Sequence, residues 1–207
     1  MISIGVDLGQ RRDPSAIAVI EKVEWIAGQF HTRPQIMGGQ PHHGGYDLRQ
    51  GEMVVRHLER VPLGTPYSQV VKRVAEMTRH PSLGNVRRTL TVDATGVGSP
   101  VVEMLRAQRP ACEMTPMVIT GGNAARRDGN GWEMVPKVEL LAAMQASLEN
   151  GQLRIARKMS ETERLVKEMI GLGGSEHDDL AMAVALAVWG AKTGTTYGFR
   201  SGFFPVY

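Results

Sequence analysis

A single cysteine, Cys112, among 207 residues leaves no partner for a disulfide and no thiolate set for a structural zinc site. A reducing compartment suits such a chain. No apolar run approaches the ~18 residues of a membrane span. Met1-Ile2-Ser3-Ile4-Gly5 runs straight into the acidic end of a strand, so a signal peptide is not expected. There is no internal repeat, and no linker long enough to divide domains. One domain over residues 1–192, followed by an irregular tail over 193–207, is the expectation. Neither sign of charge dominates: 24 Lys plus Arg against 21 Asp plus Glu give a net charge of +3. That balance tolerates a polyanion without demanding one. No Gly-x-x-x-x-Gly-Lys-Ser/Thr phosphate loop occurs, so no ATP site of that kind is present. What remains is 42% hydrophobic and 22% charged, the mix of a soluble protein with a real core.

The pattern alternates strands and helices. Ile2 to Val6 is a short apolar run ending on Asp7, and the Gly9 to Pro14 turn joins it to a second strand, Ser15 to Trp25. Residues 28–51 read as a long polar loop, and Met53 to Val61 as a third strand. Thr65-Pro66 opens a helix with Tyr67, Val70, Val71, Val74 and Met77 on one face. Thr89 to Val92 is a strand running into Asp93, a helix follows Ser99-Pro100, and Met114 to Ile119 is the next strand. That order implies a parallel pair with a right-handed crossover. Pro136 opens a helix with Val138, Leu141, Met144 and Leu148 on one stripe, ended by Asn150-Gly151. Ser160 to Glu163 reads as a capping box before Leu165, Val166, Met169 and Ile170. A last helix begins near Asp178 and is apolar almost all round to Trp189, so it should be buried.

Three acidic positions stand where regular elements end in the open: Asp7, Asp93 and the pair Asp178-Asp179. If the Asp7 and Asp93 strands are parallel neighbours, their carboxylates lie side by side and repel unless a cation sits between them. Oxygen-only ligands of this kind suit Mg²⁺ or Mn²⁺. Each residue also has a plainer reading. Asp7 and Asp93 can start turns, and Asp178 and Asp179 can cap a helix.

Four motifs in order resemble the nuclease domain of phage large terminase subunits, in the RNase H-like group near the RuvC-type resolvases. They are Val6-Asp7-Leu8-Gly9 with Asp13-Pro14-Ser15-Ala16, Val92-Asp93-Ala94-Thr95-Gly96-Val97-Gly98, Val135-Pro136-Lys137, and His177-Asp178-Asp179-Leu180. The resemblance implies an α/β fold with a mixed five-stranded sheet flanked by helices. It also implies metal-dependent endonuclease cleavage of double-stranded DNA during viral genome packaging, in the host bacterial cytoplasm. By motif match Asp7, Asp93, Asp178 and Asp179 carry over as catalytic metal ligands for two Mg²⁺ or Mn²⁺ ions. A complete large terminase carries an ATPase ahead of its nuclease, whereas here Asp7 is almost at the first residue. The expectation is therefore an excised domain, a split-gene subunit or a relic, with a separate packaging ATPase, portal or small terminase subunit as possible partners.

Arg126 and Arg127, in a glycine-rich segment, and Lys137, after a helix-opening proline, are candidates to grip a DNA backbone; each also reads as an ordinary solvated side chain. His31, His42 and His43 lack ligand spacing, His177 stands beside the aspartate pair, and Cys112 reads as packing. Two other functions compete with the endonuclease. One is a non-catalytic DNA-binding or packaging scaffold of the same fold. The other is an actin-like phosphotransferase, which pairs two such folds around its nucleotide where this chain supplies one.

Overall fold

The computed structural model describes residues 1–9, 13–23, 51–96, 98–172 and 178–194. Three strands form an antiparallel meander: β1 (Ile2–Asp7) and β2 (Ala16–Lys22), largely buried, and β3 (Met53–Arg60), buried mainly in its first half. Helix α1 (Tyr67–Thr78) then leads to β4 (Arg88–Asp93), which pairs parallel with β1. Helix α2 (Gly98–Ala107) crosses over to β5 (Glu113–Thr120), parallel to β4. These are the five strands the sequence pattern marks.

The sheet has eight strands, not five, in the order β6-β7-β5-β4-β1-β2-β3-β8. The additions are β6 (Arg126–Arg127), β7 (Glu133–Pro136) and β8 (Leu153–Ile155). Each has four residues or fewer, too short for an alternating pattern to show. They extend the two edges and leave the central five intact. Helices α3 (Lys137–Glu149), α4 (Thr162–Ile170) and α5 (Asp179–Thr193) complete the chain's described part.

Both faces of the sheet are covered, but β1 and β4 are apolar on one face only: the other carries Ser3, Gly5, Thr89 and Thr91, buried under the last helix. Ile2, Ile4, Val6, Leu90 and Val92 pack with α1 and α2, while Ala16, Ala18, Met117 and Val135 pack with α3 and α5. Helix α5 is the centre of the second layer, with Leu180, Val184, Leu186 and Val188 fully buried. Burying each such side chain contributes about 1.5–3 kcal/mol against leaving it exposed. No helix of the described residues is long and apolar enough to cross a membrane.

Two helix readings need correction. In α3 the buried residues are Leu140, Met144 and Ser147, while Val138 is 72% exposed. Met144, Leu141 and Leu148 of the stripe read from spacing do pack against the core, the last two partly buried, so only Val138 leaves it. In α4 no capping box forms. The helix starts at Thr162 without a side-chain cap, and the Thr162 hydroxyl donates to the Ala156 carbonyl. Ile170 is 82% exposed and Glu168 is buried in its place.

The close approach of α5 to β1 depends on Gly5. A Cβ there would lie 2.0 Å from the Ala183 carbonyl oxygen and 2.5 Å from the Ala187 nitrogen, both α5 backbone. Two residues before it, the Ser3 hydroxyl donates to the Ala187 carbonyl at 2.7 Å. The helix therefore lies on the sheet at backbone contact, with its first residues at the end of the sheet where β1 and β4 finish.

Candidate active site

One row across the sheet carries the site. The register pairs Asp7 with Asp93 on one side and with Ala16 on the other, and Ala16 with Arg60. In the opposite direction Asp93 is level with Met117, Met117 with Glu133, and Glu133 with Arg127. Side chains in one row share a face of the sheet, and Ala16 and Met117 place that face against α5. Asp7 and Asp93 are thus adjacent, on strands roughly 4.8 Å apart, and both face the start of α5.

Helix α5 brings in the other two carboxylates. Asp178 occupies its cap position and Asp179 its first turn. Asp178 accepts a 2.6 Å bond from Lys137 Nζ, at the start of α3. Asp179, buried, accepts from the Arg60 guanidinium at the end of β3. The four aspartates marked in the sequence are brought together, but they are not equivalent. Two stand side by side on strands, and two are held by cations.

The electrostatics follow. Asp7 is pushed well above the ordinary carboxylate range, first by burial, then by the charges of Asp93, Asp179 and Asp178, with Lys137 opposing. Burial also raises Asp93, against hydrogen bonding from Thr95 and the charge of Lys137. The Thr95 amide holds Asp93 Oδ1 at 2.7 Å in an Asx turn, the structural role read for it. Asp7 makes no hydrogen bond or ion pair within the described residues. A partly buried cluster of hard oxygen donors with raised proton affinity is relieved by either a proton or a divalent cation.

That chemistry fits Mg²⁺ or Mn²⁺, with Asp7, Asp93 and Asp178 as the residues that would hold an ion. Among the described residues, however, no group of three or more acidic, histidine or cysteine side chains is already set out as a metal cage. Lys137 and Arg60 turn Asp178 and Asp179 toward themselves. Lys137 is therefore a member of the site rather than a solvated contact outside it.

Arg126 and Arg127 sit on the short edge strand β6 and are exposed. Arg127 is level with Asp7 and four strand spacings away, roughly 19 Å. Three positions that shape the site escaped the sequence reading: Arg60, Glu168 and Gly5. Arg60 ends a strand that already carries Arg56, His57 and Glu59, so nothing in the sequence singles it out. Nothing in the sequence marks Glu168, which reads as one more acid on an amphipathic helix. Cys112 is half-buried against the α1–α2 layer and its thiol is pushed up to about 12 by burial, so packing is its role. His31, His42, His43, His177 and the tail over 195–207 lie outside the described residues.

The central order β3-β2-β1-β4-β5, an antiparallel meander followed by two parallel crossover strands, is the RNase H-like arrangement. No family model and no curated protein matches the chain. Among solved structures it is similar to the large terminase nuclease domain of bacteriophage SPP1 with bound Mn. The identity is 11% and the TM-score 0.47, over 90% of this chain and 84% of that one.

Proposed function

We propose that this chain is a divalent-metal-dependent endonuclease that hydrolyses double-stranded DNA. The observation that carries the reading is the pairing of Asp7 with Asp93 in one register row beneath the start of α5, beside Asp178 and Asp179. Bound Mg²⁺ or Mn²⁺, as two ions, supplies water activation and stabilisation of the leaving oxygen in phosphodiester hydrolysis. The chain's own residues do the rest. Asp7 and Asp93 hold a fixed spacing because they are locked in adjacent strands. Asp178 and Asp179 complete the acidic set from α5, and Lys137 places a positive charge where a phosphate oxygen would enter. The setting in viral genome packaging, with a separate ATPase, portal or small subunit, follows from the sequence resemblance to phage large terminase nucleases.

Nicking and cutting of plasmid DNA by the full chain tests this. Cleavage is expected in Mn²⁺, more weakly in Mg²⁺ because of its stricter octahedral demand, and unaffected by ATP. Products should form a smear, since no base-reading element is present among the described residues. Asp93→Ala should abolish cutting. Equal cutting by wild type and Asp93→Ala would make the activity a contaminant.

One observation favours a second reading, a non-catalytic DNA-binding scaffold: Lys137 and Arg60 already neutralise Asp178 and Asp179. On that reading Mn²⁺ neither binds nor raises the melting temperature, whereas DNA binding persists.

The DNA surface is proposed to run from Lys137, just past the end of β7, to Arg126-Arg127 on the neighbouring edge strand β6. Phosphate contacts release counterions, so affinity should fall steeply with salt. Arg126→Ala with Arg127→Ala should flatten the slope of log K against log salt by about two contacts. Fluorescence anisotropy across a salt series reads this directly, and an unchanged slope would take β6 off the DNA surface.

A further inference from the structure

Helix α5 opens with two aspartates, and an aspartate at a helix start ordinarily turns back to cap its own amides. Here neither does. Asp178 stands at the cap position without a side-chain bond to the helix. Its carboxylate accepts from Lys137, and that of Asp179 from Arg60. The amides of Leu180 and Ala181 donate instead to one oxygen, Glu168 Oε2, at 2.8 and 3.0 Å. Glu168 reaches over from α4 and is 6% exposed. A buried carboxylate is unfavourable unless it is hydrogen-bonded, and the two amides at the positive end of α5 satisfy it. Its other oxygen, Oε1, makes no hydrogen bond among the described residues and lies 3.9 Å from Arg60.

We propose that Glu168 is a positioning residue for the acidic site. By capping α5 from a neighbouring helix, it frees Asp178 and Asp179 to face the Asp7–Asp93 row. The consequence for metal binding rests on the nuclease reading; the capping geometry does not. Without the Glu168 carboxylate, two amides at the start of a buried helix lose their acceptor. Asp178, already at the cap position, has the reach to take them. It would then leave Lys137 and turn away from Asp7.

Two measurements on the full chain test this. The first is a crystal structure of Glu168→Ala beside wild type. Asp178 bonded to its own helix amides and parted from Lys137 is the expected result, and Asp178 unmoved on Lys137 would overturn the proposal. The second is isothermal titration with Mn²⁺. Glu168→Ala should bind at least about tenfold more weakly, the scale seen when a residue supporting a metal ligand is removed. Glu168→Gln keeps a carbonyl oxygen for both amides and should stay close to wild type. A merely structural role would not sort the variants this way, and equal affinity for Glu168→Ala and wild type would also refute the idea. If Glu168→Ala does not fold, Glu168→Asp replaces it in both measurements, since its side chain is one methylene too short to serve both amides. If wild type itself binds no Mn²⁺, the nuclease reading fails, and the crystal structure still decides whether Glu168 holds Asp178 in place.

Discussion

Asp7→Asn is expected to abolish DNA cleavage and, in the absence of metal, to raise the melting temperature by several degrees. The two effects share one cause. Asp7 is half-buried beside three other carboxylates, and its proton affinity is raised well above the ordinary value of 3.8 by desolvation and by Asp93, Asp179 and Asp178. A carboxyl raised in the folded state leaves stability intact below its unfolded value and erodes it as pH climbs through its folded one. At neutral pH Asp7 is ionised in the unfolded chain and disfavoured as an anion in the folded one, so it opposes folding, and Asn removes that opposition with almost no change in shape. The gain should shrink as pH is lowered toward the ordinary carboxylate range and vanish below it, where Asp7 is protonated in both states. Added Mn²⁺ should reverse the order, stabilising wild type by mass action and leaving Asp7→Asn unmoved. Thermal melts at pH 7 and near pH 4, with and without Mn²⁺, read all of this. A variant less stable than wild type at pH 7 without metal would show that Asp7 is structural.

The second large effect is expected far from any charge. Gly5→Ala places a methyl group 2.0 Å from the Ala183 oxygen and 2.5 Å from the Ala187 nitrogen. Both are helix backbone and have no rotamer by which to yield. Either α5 lifts from β1 or the helix distorts, with an overpacking cost of about 3 kcal/mol or more. For a chain of this size that amounts to roughly 6–12 °C in melting temperature, at about 2–4 °C per kcal/mol. Asp179 lies one turn before Ala183, so the shift also carries it away from the strand carboxylates. Mn²⁺ binding by the folded fraction should weaken with it. Gly121→Ala, where an added Cβ meets nothing within 4 Å, is the control and should melt like wild type. If Gly5→Ala also melts within a degree of wild type, backbone contact between α5 and β1 is not what seats the helix.

What the amino-acid sequence determined by itself is the set of elements and where their acids fall. Apolar runs that stop on Asp7 and on Asp93, and an apolar stretch that begins after Asp178-Asp179, are local patterns and hold in the folded chain. The central strands and all five helices were legible for the same reason, since each is long enough for its period to show. The short edge strands were not, because two to four residues carry no period and pair only when a neighbour presents an edge. Tertiary structure alone decided which acids meet and what holds them. Asp7 and Asp93 are 86 residues apart in number, and only the parallel register of β1 with β4 makes them neighbours. Arg60 joins the same row through two antiparallel pairings, each of which would turn its side chain to the other face if it slipped by one residue. Glu168 reaches the α5 amides, and Lys137 reaches Asp178, only once their helices are packed. A hydrogen bond across sequence distance leaves no trace in local periodicity, so the aspartates were readable and the residues that aim them were not.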